Sequence, residues 1–325
     1  MEKQKISCYT VYCQRVPWQN RFMEREKIFV PVVIDQRMRE QIPHEEALFP
    51  VSFFENELSE LPNREGPLHW HPDFEIARAE IGTLDYQVGQ KHILLKPGDS
   101  LLINRNLIHG VRQIAGDLPD PLPIAVFSGT LLAPESSTIY QKYIAPIADC
   151  DSLPFVVFRC HEDWCGEIRW LVEDIFANLR QRKNCYEMAV QRDLSRLFES
   201  LFCRLDALPK FPATRIQLRT QVRVQKMLAY IYAHYAEPIT FADIAKAASI
   251  SRSEAARCFQ EYMDCSPIGA LIRYRLQAAR RLLCDTSLSV QEISLACGFH
   301  SSSYFNRQFR QIYGCTPGQV RSLGK

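Results

Sequence analysis

Two stretches in the C-terminal third of the chain follow one plan. PITFADIAKAASISRSEAARCFQEYMDCSP and SLSVQEISLACGFHSSSYFNRQFRQIYGCTP each carry a polar N-cap (Thr240 or Ser289), a short helix and a tight break (ASIS or CGFH). Each then has a second helix with phenylalanine near its end, and a Cys-x-Pro tail. Phe259 and Phe309, Cys265 and Cys315, and Pro267 and Pro317 align at one offset of 50 residues. A duplication of this kind predicts two helix-turn-helix units, each burying one apolar face. Between them IGALIRYRLQAARRLLCDT reads as a connecting helix of roughly 18 residues and about 27 Å, with Gly269 interrupting its start.

Charge separates this segment from the rest. From Ala213 onward the balance is +8, whereas the remainder carries −6, so the overall charge of +2 conceals a basic third on an acidic body. An anionic partner for that third alone follows. At 325 residues the chain is long enough for two domains. It contains no apolar run of membrane-spanning length. Its N-terminus, MEKQKISCYTVYCQRVPWQ, lacks the apolar core of a signal peptide, so a cytoplasmic protein is expected. The 12 cysteines include no C-x-x-C pair. Cys160 and Cys165 give only a weak zinc signal, and reduced thiols serving as small apolar residues are expected.

From about Phe49 to Phe127 the pattern changes to short alternating strands broken by Gly82, Gly89 and Gly98, with KPGD as a strong turn signal. This predicts an all-β barrel or sandwich. CGEIRWLVEDIFANLRQ and YEMAVQRDLSRLFESLFCRLDAL then carry apolar residues at helical spacing, and Pro209 and Pro212 mark a linker. The expected fold is thus multidomain: residues 1–160 as the β domain, 161–212 as amphipathic helices and linker, and 213–325 as an all-α double helix-turn-helix domain.

The C-terminal segment resembles the DNA-binding domain of AraC-type (AraC/XylS) transcriptional regulators. RYRLQAARRLL, VQEISLACGFHSSSYFNRQFRQIYGCTPGQVR and their spacing follow that family's signature over about 100 residues. The resemblance implies double-stranded DNA as partner. A recognition helix sets its early residues against base edges and its flanks against phosphates. The candidates are Arg252, Ser253, Ala256 and Arg257 in the first unit. In the second they are His300, Ser301, Ser302, Ser303, Asn306, Arg307 and Arg310. Ala255, Cys258, Phe259, Phe305 and Phe309 fit the buried face, although Ala255 stands where the family usually has a larger residue. Arg257 and Arg307 occupy equivalent places.

PLHWHPDFEIARAEIG, from Pro67 to Gly82, resembles the first motif of a cupin barrel, H-x-H-x3-E-x6-G, with His69, His71, Glu75 and Gly82 in place. On a strand, residues 69 and 71 share a face and Trp70 points the other way. Gly98 and His109 match part of the second motif, but Asn104, Asn106 and Gln113 replace its proline, glycine and asparagine. His69, His71, Glu75 and His109 are expected to converge. Such a set suits a borderline divalent metal, whereas cupin sensors in AraC-type regulators use the cavity for a small organic effector. A third reading makes the histidines hydrogen-bonded core residues. With Arg78 also facing inward, the pocket would suit a polar molecule with an apolar face, such as a sugar or glycoside.

The resemblance therefore implies a sequence-specific regulator controlled by a small-molecule effector, with no catalytic residues and no required cofactor. The helices near 165–208 are either a homodimer seam or a cover for the barrel. RNA polymerase is a further partner if the protein activates. A metal-dependent cupin enzyme fused to a DNA-binding domain, or a cupin serving only oligomerisation, are the competing expectations.

Overall fold

The computed structural model of the protein describes residues 49–58, 64–66, 68–116, 121–263 and 265–323. The N-terminal stretch read for a signal segment, and the proline-rich loop at 117–120, lie outside the described residues.

The described β strands are β1 (Val51–Glu57), β2 (Phe74–Arg78), β3 (Thr83–Val88), β4 (Lys91–Leu95), β5 (Ser100–Ile103), β6 (His109–Ala115), β7 (Pro121–Phe127) and β8 (Phe155–Phe158). They form an antiparallel five-stranded sheet in the order β1-β7-β2-β5-β8, and an antiparallel three-stranded sheet in the order β4-β3-β6. The KPGD turn joins β4 to β5, closed by the Asp99 amide donating to the Lys96 carbonyl at 2.9 Å. Strand β8 and the short helical segment Tyr140–Ala148 carried no clear sequence signal.

Register assigns the two faces. Glu75 pairs with Ile103 and Val126, and Ala77 with Leu101 and Ile124. The alternate residues Phe74, Ile76, Leu102, Ala125 and Phe127 belong instead to the cluster built with two helices, α1 (Cys165–Gln181) and α2 (Tyr186–Cys203). Phe198 of α2 meets Phe74 edge-on, with ring centroids 5.0 Å apart. The amphipathic stripes of α1 and α2 are therefore spent on covering the outer face of the larger sheet, and Trp170 and Met188 remain exposed.

The linker is pinned to the β domain. Phe211 donates its amide to the Ser152 carbonyl at 2.6 Å and stacks on Phe155, with centroids 4.7 Å apart. Beyond it come α3 (Arg215–His234), α4 (Phe241–Ala247), α5 (Arg252–Met263), α6 (Pro267–Asp285), α7 (Val290–Ala296), α8 (Ser302–Tyr313) and α9 (Pro317–Leu323). Thr214, Thr240 and Ser289 each close a reciprocal capping box, with Gln217, Asp243 and Glu292. Gly269 does not interrupt α6. Pro267 is its first residue, and the Ser266 hydroxyl caps the Gly269 amide at 3.0 Å, so the glycine sits in a capped first turn.

The two units differ by one residue. The first helices, α4 and α7, are offset by 49, whereas α5 and α8 are offset by 50. The extra residue lies in the turn, after the positive-φ pair Ser249 and Gly298, and makes room for His300. Gly298 has φ +79, and a Cβ there would stand 2.7 Å from the Tyr235 carbonyl oxygen and 2.9 Å from Arg275 Nη2. Arg275 of α6 donates to the carbonyls of Tyr235 and Glu237 at 2.6 and 2.7 Å. The end of α3, the connecting helix and the second turn thus meet at one point. Gly314, with φ +70, has nothing within 4 Å of a built Cβ. Gly314→Ala should cost about 1 kcal/mol, from backbone strain alone. Gly298→Ala should cost at least about 2 kcal/mol, because strain and overlap add. Thermal unfolding of both variants measures the difference.

Candidate functional site

His69, His71, Glu75 and His109 come together between the two sheets, with one ligand atom from each within 4.8 Å of the others. His69 and His109 are joined backbone to backbone by two hydrogen bonds of 2.9 Å, which places the segment before β2 beside the start of β6. Glu75 is on β2, and its Oε2 lies 3.4 Å from His71 Nε2 and 3.2 Å from His109 Nε2. Glu75, His71 and His109 are at most 2% exposed. Burial works against the charge on Glu75, but His109 and His71 together outweigh it and hold the carboxyl well below the usual carboxylate range.

Hydrogen bonding orients the imidazoles. His71 Nδ1 lies 2.9 Å from the Asp73 carbonyl, and His109 Nδ1 lies 2.8 Å from the Leu107 carbonyl. A carbonyl only accepts, so each Nδ1 carries a proton and donates it. In a neutral ring, Nε2 is then a lone pair aimed at a carboxylate oxygen, which is also an acceptor. Only a positive charge between them, a proton or a metal ion, makes that arrangement favourable. Backbone-anchored imidazoles of this kind are the usual support of a metal-binding histidine. Three imidazoles and one carboxylate at this spacing fit a borderline divalent ion after a small contraction, since such ions bind nitrogen at about 2.0–2.1 Å.

The departures from the second cupin motif have local explanations. Asn106 takes φ +60, the left-handed conformation a glycine would adopt there and one that asparagine tolerates. Asn104 donates to the Ile147 and Leu153 carbonyls at 2.8 and 3.1 Å, tying the turn to the helical segment behind it. Gln113 shares the inward face of β6, because it pairs with Leu84.

Arg78 is not in the pocket. It lies three residues past Glu75 on the same strand, hence on the opposite face, and its Nη1 pairs with Glu173 of α1 at 2.7 Å. The residue that sequence reasoning missed is Tyr86. It is inward-facing on β3 and 1% exposed, and its buried hydroxyl has no hydrogen-bond partner among the described residues. Burial, then the neighbouring Glu75 charge, raise its pKa. The alternation of TLDYQV was the signal that could have found it. Cys165 is not grouped with Cys160, which lies instead with Asp99 and His161, one ligand atom of each within 4.8 Å of the others. Burial pushes the Cys165 thiol up to about 11, and nearby Asp99 is already engaged by Arg159 at 2.8 Å and by two backbone amides.

The walls of this site are also the seat of the helical domain. Leu68 and Trp70 alternate with His69 and His71, and Ile108 precedes His109. All three apolar residues pack into the core of the first helix-turn-helix unit, where Ile108 is fully buried among Val224, Phe259 and Leu271. The Leu68 carbonyl accepts from Tyr232 at 3.0 Å, and the Asn106 carbonyl accepts from Gln221 and Gln225 at 2.9 Å each. Gln87 of β3 donates to the Tyr262 carbonyl at 2.6 Å.

Both candidate reading faces are open. Arg252, Ser253, Ala256 and Arg257 are exposed on α5, while Ala255, Cys258 and Phe259 are buried beneath them. His300, Ser301, Ser302, Ser303, Asn306, Arg307 and Arg310 are exposed at and along α8, with Phe305 and Phe309 buried. The Ser301 hydroxyl is used as a cap for the Tyr304 amide.

Comparison with known proteins agrees with both halves. A helix-turn-helix domain model matches residues 244–322, and a cupin domain model matches residues 58–119. The chain is 29% identical over 291 residues to the HTH-type transcriptional regulator YdeC of Bacillus subtilis, covering 90% of this chain and 98% of that one. It is 31% identical over 268 residues to the melibiose operon regulatory protein of Escherichia coli K12, covering 79% and 84%. A solved AraC-type DNA-binding domain from Chromobacterium violaceum is 32% identical, with a TM-score of 0.31, and matches 32% of this chain and 94% of that one. The chain therefore belongs to the AraC family of DNA-binding transcriptional regulators, a regulator and not an enzyme, with a cupin domain ahead of its helix-turn-helix domain.

Proposed function

We propose that the cupin domain is the sensor of this regulator, and that occupancy of the His69, His71, Glu75 and His109 cluster sets how the first helix-turn-helix unit is held. The supporting observation is strand alternation. Residues 68–71 and 108–109 turn histidines inward and Leu68, Trp70 and Ile108 outward onto α3 and its neighbours. A ligand that draws the imidazoles together must move the same two backbone segments that carry the seat. Only a ligand with different affinity for the two arrangements can shift the balance.

The effector class that suits the pocket is a polar molecule with an apolar face. Tyr86 offers a buried hydroxyl, the cluster offers charge and hydrogen-bond partners, and Leu84, Val88, Ile103 and Val126 share the inward faces. A sugar or glycoside fits, and a relative of this chain is named for the operon of melibiose, a disaccharide. A divalent metal held by the four cluster residues would supply a Lewis-acidic anchor for an effector oxygen. The sensing domain extends to residue 160, and the DNA-binding domain covers 213–325. Homodimerisation would use the exposed sides of α1 and α2, and contact with RNA polymerase belongs to this reading only if the protein activates.

On DNA, α5 and α8 would enter successive major grooves. The 19-residue α6 between the two units spans about 28 Å, comparable to one helical turn of DNA. The basic C-terminal third predicts affinity that falls steeply with salt.

Two measurements test this reading. Zinc or nickel, alone and with a panel of sugars and glycosides, should raise the melting temperature of the full-length protein; at a hundredfold excess over Kd the gain is about 2.7 kcal/mol. His71→Ala should abolish it. A panel in which nothing stabilises the wild type would reject the sensor. For a compound that does bind, Tyr232→Phe combined with Gln225→Ala should leave its binding intact and weaken its effect on DNA affinity. An undiminished DNA response in that variant would reject the route through α3.

A further inference from the structure

The two arginines at equivalent places have different neighbours. Arg257 and Arg307 are each the sixth residue of a 12-residue helix. The residue three positions earlier orients each side chain, and the two units use opposite chemistry for it. In the first unit Glu254 accepts from Arg257 Nη2 at 2.8 Å, and Glu261 lies 3.4 Å from Arg257 Nη1. Glu254 also accepts from Arg223 of α3 at 2.7 Å, so one carboxylate serves two guanidinium groups. In the second unit the position of Glu254 is taken by Tyr304, and the Arg307 guanidinium lies over its ring, 5.4 Å from the centroid. Among the described residues no carboxylate pairs with Arg307.

The electrostatic consequences differ in sign. An aromatic face holds a guanidinium without neutralising it. A carboxylate cancels the arginine's charge at range and repels phosphate. Pairs this exposed add little to folding, since Arg257 is 54% and Glu254 29% exposed. Their effect falls on what the arginine can do.

We propose that Glu254 and Tyr304 are positioning residues for DNA reading, and that they make the two units unequal. Glu254 fixes the Arg257 rotamer at the expense of phosphate attraction, so the first unit discriminates among bases while adding little general affinity. Tyr304 fixes Arg307 with its charge intact, so the second unit supplies more of the salt-dependent affinity. Through Arg223, the same carboxylate links the first unit's arginine to α3. This rests on the reading that both arginines face DNA.

The test uses the full-length protein and a randomised double-stranded DNA library at two salt concentrations. E254Q should bind library duplexes about two- to fivefold tighter, the range an exposed ion pair spans. Its salt dependence should steepen by about one counterion. It should lose preference at the base pairs that R257A also relaxes. That loss should not add to the loss caused by R257A in the E254Q/R257A double variant, where only the affinity gained from lost phosphate repulsion and a freed Arg223 remains. Y304L should relax preference at the pairs that depend on Arg307 with no gain in affinity. If R257A and R307A leave affinity and preference unchanged, the underlying placement of the helices fails. If they alter binding but E254Q has no effect on preference, or its loss of preference adds to that of R257A, the positioning role of Glu254 is overturned. Melting curves establish that each variant is folded, and Y304L tests the second unit independently if E254Q is not. A Y304L variant with wild-type preference would overturn the role of Tyr304.

Discussion

The structure depends on the two-residue period of two short extended segments. In Leu68-His69-Trp70-His71 and Ile108-His109, every residue that faces the barrel is a histidine, and every residue that faces away is apolar and packed against the first helix-turn-helix unit. Neither face is free to change alone. Full burial of a side chain such as Ile108 contributes about 1.5–3 kcal/mol. On the other face a buried carboxylate is tolerated only while it is paired, and removing a partner from such a pair costs about 3–5 kcal/mol. Sliding either segment by one residue would exchange the two faces and forfeit both contributions.

That constraint makes the two helix-turn-helix units unequal. The core of the first contains Ile108 from the cupin domain and leans on Leu68 and Trp70. The core of the second, among the described residues, is built from α6 to α9 and the turns between them. The duplication seen in the sequence therefore yields one unit packed against the cupin domain and one whose core, among the described residues, is its own. Arg275 joins them by closing the end of α3 against the turn at Gly298, so α6 is a strut with defined ends.

Much of this was legible in the residues. The offset between Phe259 and Phe309 announced the duplication, polar caps at Thr240 and Ser289 marked the helix starts, and the H-x-H-x3-E spacing marked a polar cluster inside a barrel. Arg78 has the chemistry of a pocket residue, but the strand period separates it from Glu75 and turns it to Glu173. Glycine weakens helix interiors, which makes Gly269 look like a break, whereas a capped first turn tolerates it. Tyr86 carries no distinguishing signal, since one aromatic residue in an alternating strand looks like ordinary core. The seating of α3 on residues 68–70 and 106–108 had no sequence signal, because contacts between distant segments leave no local pattern. The one-residue insertion at His300 lies ahead of the second helices, whose own offset of 50 does not reveal it.

The cluster and the seat of α3 are two faces of the same segments. Hydrogen–deuterium exchange on the full-length protein, with and without a divalent metal or effector found to stabilise it, reports on both faces at once. Occupancy should change amide protection in residues 104–110 and in α3 together, with little change in α8. Protection that changes within the barrel strands while α3 exchanges as before would contradict it.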